Sequence, residues 1–113
     1  MSRKVLVVDD NPLVLLAASS MLAELGCDVD TAADAEEALE ISADRPVEVL
    51  ITDVSMPGMD SFELAHAAKK MNEQLKVIVV TGGDTDGHGF PVVRKPFSRE
   101  DLQRTMARNT GLC

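Results

Sequence analysis

The sequence predicts one α/β domain over residues 1–113, in which a doubly wound, five-stranded parallel sheet is covered by helices on both faces. Short apolar runs rich in β-branched residues alternate along the chain with segments whose apolar residues recur at helical spacing. This alternation is typical of consecutive βαβ units. A length of 113 residues allows one domain with its own core.

Three of the predicted strands are continuously apolar, at residues 5–8, 49–51 and 77–80. Such runs indicate central strands that are buried on both faces of the sheet. A shorter apolar run at 92–93 predicts the last strand. Residues 27–31 alternate between apolar and polar side chains, which predicts a half-exposed edge strand.

Capping residues predict where the first two helices begin. Asn11 is a good N-cap, Pro12 suits the first helical turn, and Gly26 ends the helix. Asp34, with Glu37 three residues later, resembles a capping box for the second helix. The inward positions predicted for the first helix are Leu13, Leu16, Ala17, Met21, Leu22 and Leu25.

The same signals predict two further helices. Asp60 with Glu63 begins one, whose inward residues are Phe62, Ala65, Ala68 and Met71. Ser98 with Asp101 begins the other, which carries Leu102 and Met106 inward and closes at Gly111.

The connection between the last two strands is too short for an ordinary crossover, which takes about a dozen residues and usually includes a helix. Four of residues 82–90 are glycines, so helix propensity is very low. We expect the fourth crossover helix to be short or absent.

Composition excludes several classes of function. The formal net charge of −8 disfavours binding to nucleic acids or anionic membranes. No apolar stretch approaches the roughly 20 residues of a membrane span, so a cytoplasmic protein is predicted. Cys27 and Cys113 are too few and too far apart for a disulfide framework, and we interpret them as free thiols.

Polar side chains follow the apolar strands at the edge where a parallel sheet binds its ligands. They are Asp9, Asp10, Asp53, Thr81 and Lys95. Three carboxylates at one edge repel one another unless a cation is present, and Mg²⁺ prefers oxygen ligands. Lys95 adds a charge suited to a phosphoryl group. The set therefore favours phosphoryl transfer to a carboxylate.

The motifs that contain these residues resemble the receiver (CheY-like) domain of two-component response regulators over essentially the whole chain. They are V-L-V-V-D-D-N at 5–11, I-T-D-V-S-M-P-G-M-D at 51–60, V-V-T-G at 79–82 and R-K-P-F at 94–97. The resemblance implies a flavodoxin-like fold with strand order 2-1-3-4-5, an order for which the CheY fold is a standard example.

The resemblance also implies roles for individual residues. Asp53 is expected to be the phosphoacceptor and Asp10 a direct Mg²⁺ ligand, with Asp9 a ligand or water-mediated partner. The backbone carbonyl of Ser55 is expected to complete the protein ligands. Lys95 is expected to pair with the acceptor and its phosphoryl group.

Thr81 is the switch hydroxyl that the resemblance implies. We expect the loop at residues 82–90 to become ordered when Thr81, Gly82 and Gly83 engage the phosphoryl group. The implied phosphodonor is a sensor histidine kinase or a histidine phosphotransfer protein, and the domain would catalyse only its own phosphorylation and dephosphorylation. The downstream partner is left open, as is the choice between a stand-alone regulator and a receiver from a larger protein.

Three features depart from the family pattern. The position three before Lys95 is usually aromatic and is Val92 here. Ser61 replaces a common glycine. Thr81 and Lys95 are 95 − 81 = 14 positions apart, closer than in typical receivers.

Other interpretations are weaker. A haloacid-dehalogenase-type phosphatase needs an acidic residue where Ser55 stands, and an FMN carrier would be repelled by Asp9 and Asp10. Thr81 by itself fits an ordinary strand residue. A degenerate receiver that acts only as a phosphorylation-independent interaction module is the alternative hypothesis.

Overall fold

The computed structural model describes residues 3–45, 47–53, 61–82, 90–95 and 97–110, except for the side chains of residues 61, 109 and 110. Strands and helices alternate within these ranges. They are β1 (Lys4–Val8), α1 (Pro12–Glu24), β2 (Asp28–Ala32), α2 (Ala35–Asp44), β3 (Val49–Asp53), α3 (Ser61–Met71), β4 (Lys76–Thr81), β5 (Val92–Arg94) and α4 (Arg99–Thr110).

The five strands form one parallel sheet in the order β2-β1-β3-β4-β5. This confirms the doubly wound fold and places the alternating strand β2 at an edge. In the register, Val8 pairs with Thr52, and Asp53 pairs with Val80. The carboxyl ends of β1, β3 and β4 therefore meet at one edge of the sheet.

Side-chain caps set the starts of α1 and α2 as the sequence predicts, whereas Asp60, the predicted start of α3, lies outside the described residues. The Asn11 side chain accepts a hydrogen bond from the backbone N–H of Leu13 at 3.0 Å, and Asp34 accepts one from Glu37 at 2.8 Å. Past the end of α1, Gly26 has φ of 89°, a conformation that favours glycine and turns the chain into β2.

Two apolar clusters pack on opposite faces of the sheet. One lies under α2 and α3 and includes Leu6, Leu50, Leu64 and Val77. The other lies under α1 and α4 and includes Val5, Val7, Leu22, Ile51, Ile78, Leu102 and Met106. Each central strand thus supplies both cores by alternation, which explains why its sequence is continuously apolar.

The inward positions predicted for α1 are wrong at three sites. Leu13 and Leu16 are 74% and 65% exposed, and Ala17 is exposed too. Ala18 and Leu22 are the buried residues of this helix. Because the apolar residues of α1 are spread around the helix, periodicity alone does not identify the buried face. Met71, predicted inward at the end of α3, is 50% exposed.

Phe90 lies where the chain enters β5, and it packs partly against the cluster under α2 and α3. Its ring centroid is 5.9 Å from that of His66, an exposed residue of α3. The expectation of a short or absent fourth crossover helix, and that of a loop ordered by phosphorylation, fall mainly on residues 83–89, which lie outside the described residues.

Cys27 is buried and disulfide-bonded, so its interpretation as a free thiol is wrong. Among the residues that the structure describes, no helix has both the length and the apolar character needed to cross a bilayer.

A reciprocal capping box fixes the start of α4. The Ser98 backbone N–H donates to Asp101 Oδ2 at 2.9 Å, and the Asp101 N–H donates to Ser98 Oγ at 3.1 Å. We expect Ser98→Ala to lower the free energy of unfolding by about 1 kcal/mol, measured by urea denaturation. No loss, or a stabilised variant, would contradict this role of the box.

The same box predicts a pH dependence. The backbone and side-chain hydrogen bonds of Ser98 hold the pKa of Asp101 below its usual value. A lowered carboxyl pKa stabilises the fold above the unfolded pKa, about 3.9, and this contribution disappears as pH falls through the folded pKa. The stability difference between wild type and Asp101→Asn should therefore shrink below about pH 4.

Candidate functional site

Three carboxylates meet at the carboxyl edge of the sheet. Asp9 follows β1, Asp10 lies next to it, and Asp53 is the last residue of β3. One carboxylate oxygen from each lies within 4.8 Å of those of the other two. Asp9 and Asp53 are only 2% and 3% exposed, whereas Asp10 is exposed. The site therefore consists of two buried carboxylates and a third, exposed carboxylate beside them.

Backbone contacts hold Asp9 in place. Its Oδ1 accepts a hydrogen bond from the N–H of Asn11 at 2.9 Å, and its own N–H donates to the carbonyl of Ala32 at 3.1 Å. Asn11 is also the N-cap of α1. The local structure that starts α1 thus also orients this carboxylate.

Lys95 bridges the two buried carboxylates. Its ammonium donates to Asp9 Oδ2 at 2.9 Å and to Asp53 Oδ2 at 3.3 Å. Its backbone N–H donates to the carbonyl of Thr81 at 2.8 Å, so pairing between β4 and β5 continues to this residue. The short strand β5 is what places the ammonium over the acidic pair.

Electrostatics keep Lys95 charged. Partial burial lowers the pKa of its ammonium, but the hydrogen bonds and charges of Asp9 and Asp53 outweigh that effect, and the net pKa lies above its ordinary value. One monocation between three carboxylates leaves an excess of negative charge at the site. Oxygen ligands around that excess suit a hard divalent cation such as Mg²⁺.

Thr81 is buried and ends β4, one residue past the partner of Asp53 in the register. Ser55, the predicted carbonyl ligand, lies outside the described residues. Val92, which stands at the usually aromatic position, is partly buried and pairs with Val79. The structure thus brings together the carboxylates and Lys95, with Thr81 at the neighbouring strand end.

Sequence reasoning missed an apolar groove beside the site. The groove is open, has a volume of about 530 Å³, and is lined by residues that include Leu13, Met21, Phe97 and Lys95. The signal was present in the sequence, because no charged residue occurs from position 12 to position 23. A helix surface this apolar is unusual in an acidic protein.

The fold and site define a class: a doubly wound α/β domain with an acidic cluster and a lysine at the carboxyl edge of its sheet. A family model described as the response regulator receiver domain matches residues 5–107. The chain belongs to this receiver domain family, as the motifs predicted.

Relatives and solved structures agree. The response regulator MprA of Mycobacterium ulcerans is 34% identical over 124 aligned positions, covering 99% of this chain and 53% of the relative. The chain thus spans about half the length of this curated relative. The structure of the chemotaxis response regulator CheY4 of Vibrio cholerae superposes with a TM-score of 0.87 at 30% identity, over 96% of this chain and 98% of that one.

A third comparison bears on the metal. The response regulator TrrA of Thermotoga maritima, whose structure is a complex with Mg²⁺-BeF, matches with a TM-score of 0.84 at 28% identity, over 94% of this chain and 97% of that one. The Mg²⁺-BeF complex is a property of the TrrA structure. In this chain, the feature that relates to it is the acidic cluster of Asp9, Asp10 and Asp53.

Proposed function

We propose that the domain accepts a phosphoryl group on Asp53 from the phosphohistidine of a sensor histidine kinase or histidine phosphotransfer protein, and thereby switches its binding to a downstream protein. The observation that carries the proposal is the buried pair of Asp9 and Asp53 bridged by Lys95, with Asp10 completing a triad within 4.8 Å. The proposal places the domain in the cytoplasm and gives it no substrate other than itself.

Asp53 acts as the nucleophile. An oxygen of its carboxylate forms a bond to phosphorus while the bond from phosphorus to the donor's imidazole nitrogen breaks, and the electron pair leaves with the imidazole. Asp53 ends a strand that is hydrogen-bonded on both sides, so its position is fixed before the donor arrives. Asp9, Asp10, Asp53 and the carbonyl of Ser55 would hold Mg²⁺, which would supply charge neutralisation for the phosphoryl oxygens.

Lys95 and Thr81 stabilise the transferred group. The Lys95 ammonium has three donors, of which Asp9 and Asp53 use two. The third donor is suited to a phosphoryl oxygen, and the hydroxyl of Thr81 is suited to another. Movement of Thr81 toward the phosphoryl group is the proposed link between chemistry and partner binding.

The test is the intact mass of the protein after incubation with acetyl phosphate. Wild type should gain one phosphoryl group with Mg²⁺ and none with a chelator, and Asp53→Asn should gain none under either condition. Asp44→Asn, which alters an exposed carboxylate of α2 outside the site, is the matched control and should behave as wild type.

Phosphorylation of Asp53→Asn to the wild-type extent would refute the assignment of the acceptor. If wild type takes up no phosphoryl group from acetyl phosphate or from any phosphorylated kinase, the degenerate-receiver hypothesis is favoured instead.

A further inference from the structure

The apolar groove beside the site has no role in the chemistry described above. Its lining comes from α1 and from the ends of β4 and β5, and consists of Leu13, Val14, Ala17, Met21, Gly82, Lys95 and Phe97. Met21 and Phe97 also pack against the core under α1 and α4. Core packing therefore holds Met21 and Phe97 in place, while Leu13 and Ala17 remain exposed.

The groove and the phosphorylation site share Lys95. Its ammonium lies 3.3 Å from Asp53 Oδ2, and the same residue lines the groove. A molecule bound at Asp53 therefore has apolar surface directly next to it. A volume of about 530 Å³ lies within the usual range for sites that bind small molecules.

The charges beside the groove restrict the ligand. The carboxylates near Lys95 repel a simple anion, whereas the third donor of Lys95 and a bound Mg²⁺ attract a phosphoryl group. The apolar walls offer nothing to a polar substituent. A suitable ligand thus has a phosphoryl group joined to a compact apolar body.

We propose that the groove binds the apolar acyl group of acyl phosphates, so that Asp53 takes its phosphoryl group faster from donors with a bulky apolar acyl group than from acetyl phosphate. This inference rests on the proposed function. In the transfer, a carboxylate oxygen of Asp53 forms the bond to phosphorus, and the bond from phosphorus to the acyl oxygen breaks. The leaving carboxylate keeps the electron pair, so no further reactant is needed.

The expected preference is about tenfold for benzoyl phosphate over acetyl phosphate in rate at low donor concentration. Burying an aromatic ring can give more than this, but the open groove leaves part of the ring in water. Tenfold corresponds to about 1.4 kcal/mol.

The experiment measures initial rates of phosphorylation by intact mass in Mg²⁺, with benzoyl phosphate and acetyl phosphate as the probes. Ala17→Leu fills the groove from an exposed position, so folding should be preserved, as circular dichroism would verify. The ratio of the two rates should fall about tenfold in Ala17→Leu, because the benzoyl phosphate rate falls more than the acetyl phosphate rate. Comparing ratios between variants removes the difference in intrinsic reactivity of the donors.

Ala23→Leu is the matched control, because Ala23 is exposed on α1 and does not line the groove. It should keep the wild-type ratio. Leu13→Ser removes part of the wall and should also lower the ratio.

An equal ratio in wild type and Ala17→Leu overturns this inference, even if both donors react and the proposed function holds. An equal fall of both rates in Ala17→Leu also overturns it. If neither donor phosphorylates wild type, the proposed function fails and the inference fails with it.

Discussion

Lys95→Met is expected to lower the free energy of unfolding by about 2–4 kcal/mol in metal-free buffer at neutral pH. Methionine keeps most of the side-chain length but removes the cation that bridges Asp9 and Asp53. Both carboxylates are buried, so they would face each other without the ammonium between them. The expected loss of unfolding free energy is smaller than for a fully buried ion pair, because the side chain of Lys95 is itself 26% exposed. Urea denaturation gives the measurement.

The pH dependence of this loss has a definite sign. Because the folded pKa of Lys95 is raised, its contribution is fully present below the unfolded pKa, about 10.4, and disappears only as pH rises through the folded pKa. The difference between wild type and Lys95→Met should therefore persist through neutral pH and decline above about pH 10.

Two comparisons test the cause. Lys76→Met removes the same charge from the exposed start of β4 and should cost far less. In an Asp53→Asn background, Lys95→Met should cost less than in wild type, because one of the two carboxylates is already neutral. If Lys95→Met lowered the free energy of unfolding only as much as Lys76→Met does, the bridge between Asp9 and Asp53 would contribute little to stability.

The sequence located the site because the site depends on strand ends. Asp53 follows a continuously apolar run, and the parallel arrangement then fixes which other strand ends lie beside it. The capping signals at Asn11 and Asp34 likewise depend on neighbouring residues only. These local rules do not depend on tertiary packing, which explains why the carboxylates could be placed at strand ends from the sequence, whereas the sheet order was implied by the resemblance to the receiver family.

Tertiary packing determines which of the apolar residues are buried, and the sequence alone did not show this. Leu13 and Leu16 are as apolar as Leu22, and only the docking of α1 on the sheet selects Leu22 for the core. The same holds for Met71, the last residue of α3, which is 50% exposed. The apolar groove formed because the docking of α1 left other apolar residues of this helix exposed, so no sequence motif identified the groove.

The contact of Lys95 with both buried carboxylates could not be predicted from the sequence either. The R-K-P-F motif implied a pairing with Asp53, yet the shorter of its two contacts is with Asp9. That contact depends on Asn11, whose backbone N–H turns the Asp9 carboxylate toward the ammonium. A motif identifies the residues, whereas the turn before α1 sets the distances between them.

Asp10→Ala is expected to separate the two effects of the acidic cluster. In metal-free buffer it should raise the free energy of unfolding by about 0.5–1 kcal/mol, because one of three mutually repelling carboxylates is removed and Asp10 is exposed enough for water to screen part of the repulsion. With Mg²⁺ the order should reverse. Wild type should gain about 2.7 kcal/mol at a Mg²⁺ concentration of 100 times its Kd, and Asp10→Ala should gain much less at that concentration.

Thermal unfolding with and without Mg²⁺ measures both effects in one series. Glu73→Ala is the control, because it removes an exposed carboxylate for which no ion pair exists among the described residues. It should leave the Mg²⁺ response unchanged, which separates loss of a ligand from a change in net charge. An Asp10→Ala protein that is less stable than wild type without metal would show that Asp10 supports the fold rather than straining it. A full Mg²⁺ response in that variant would mean that Asp9 and Asp53 hold the cation without Asp10.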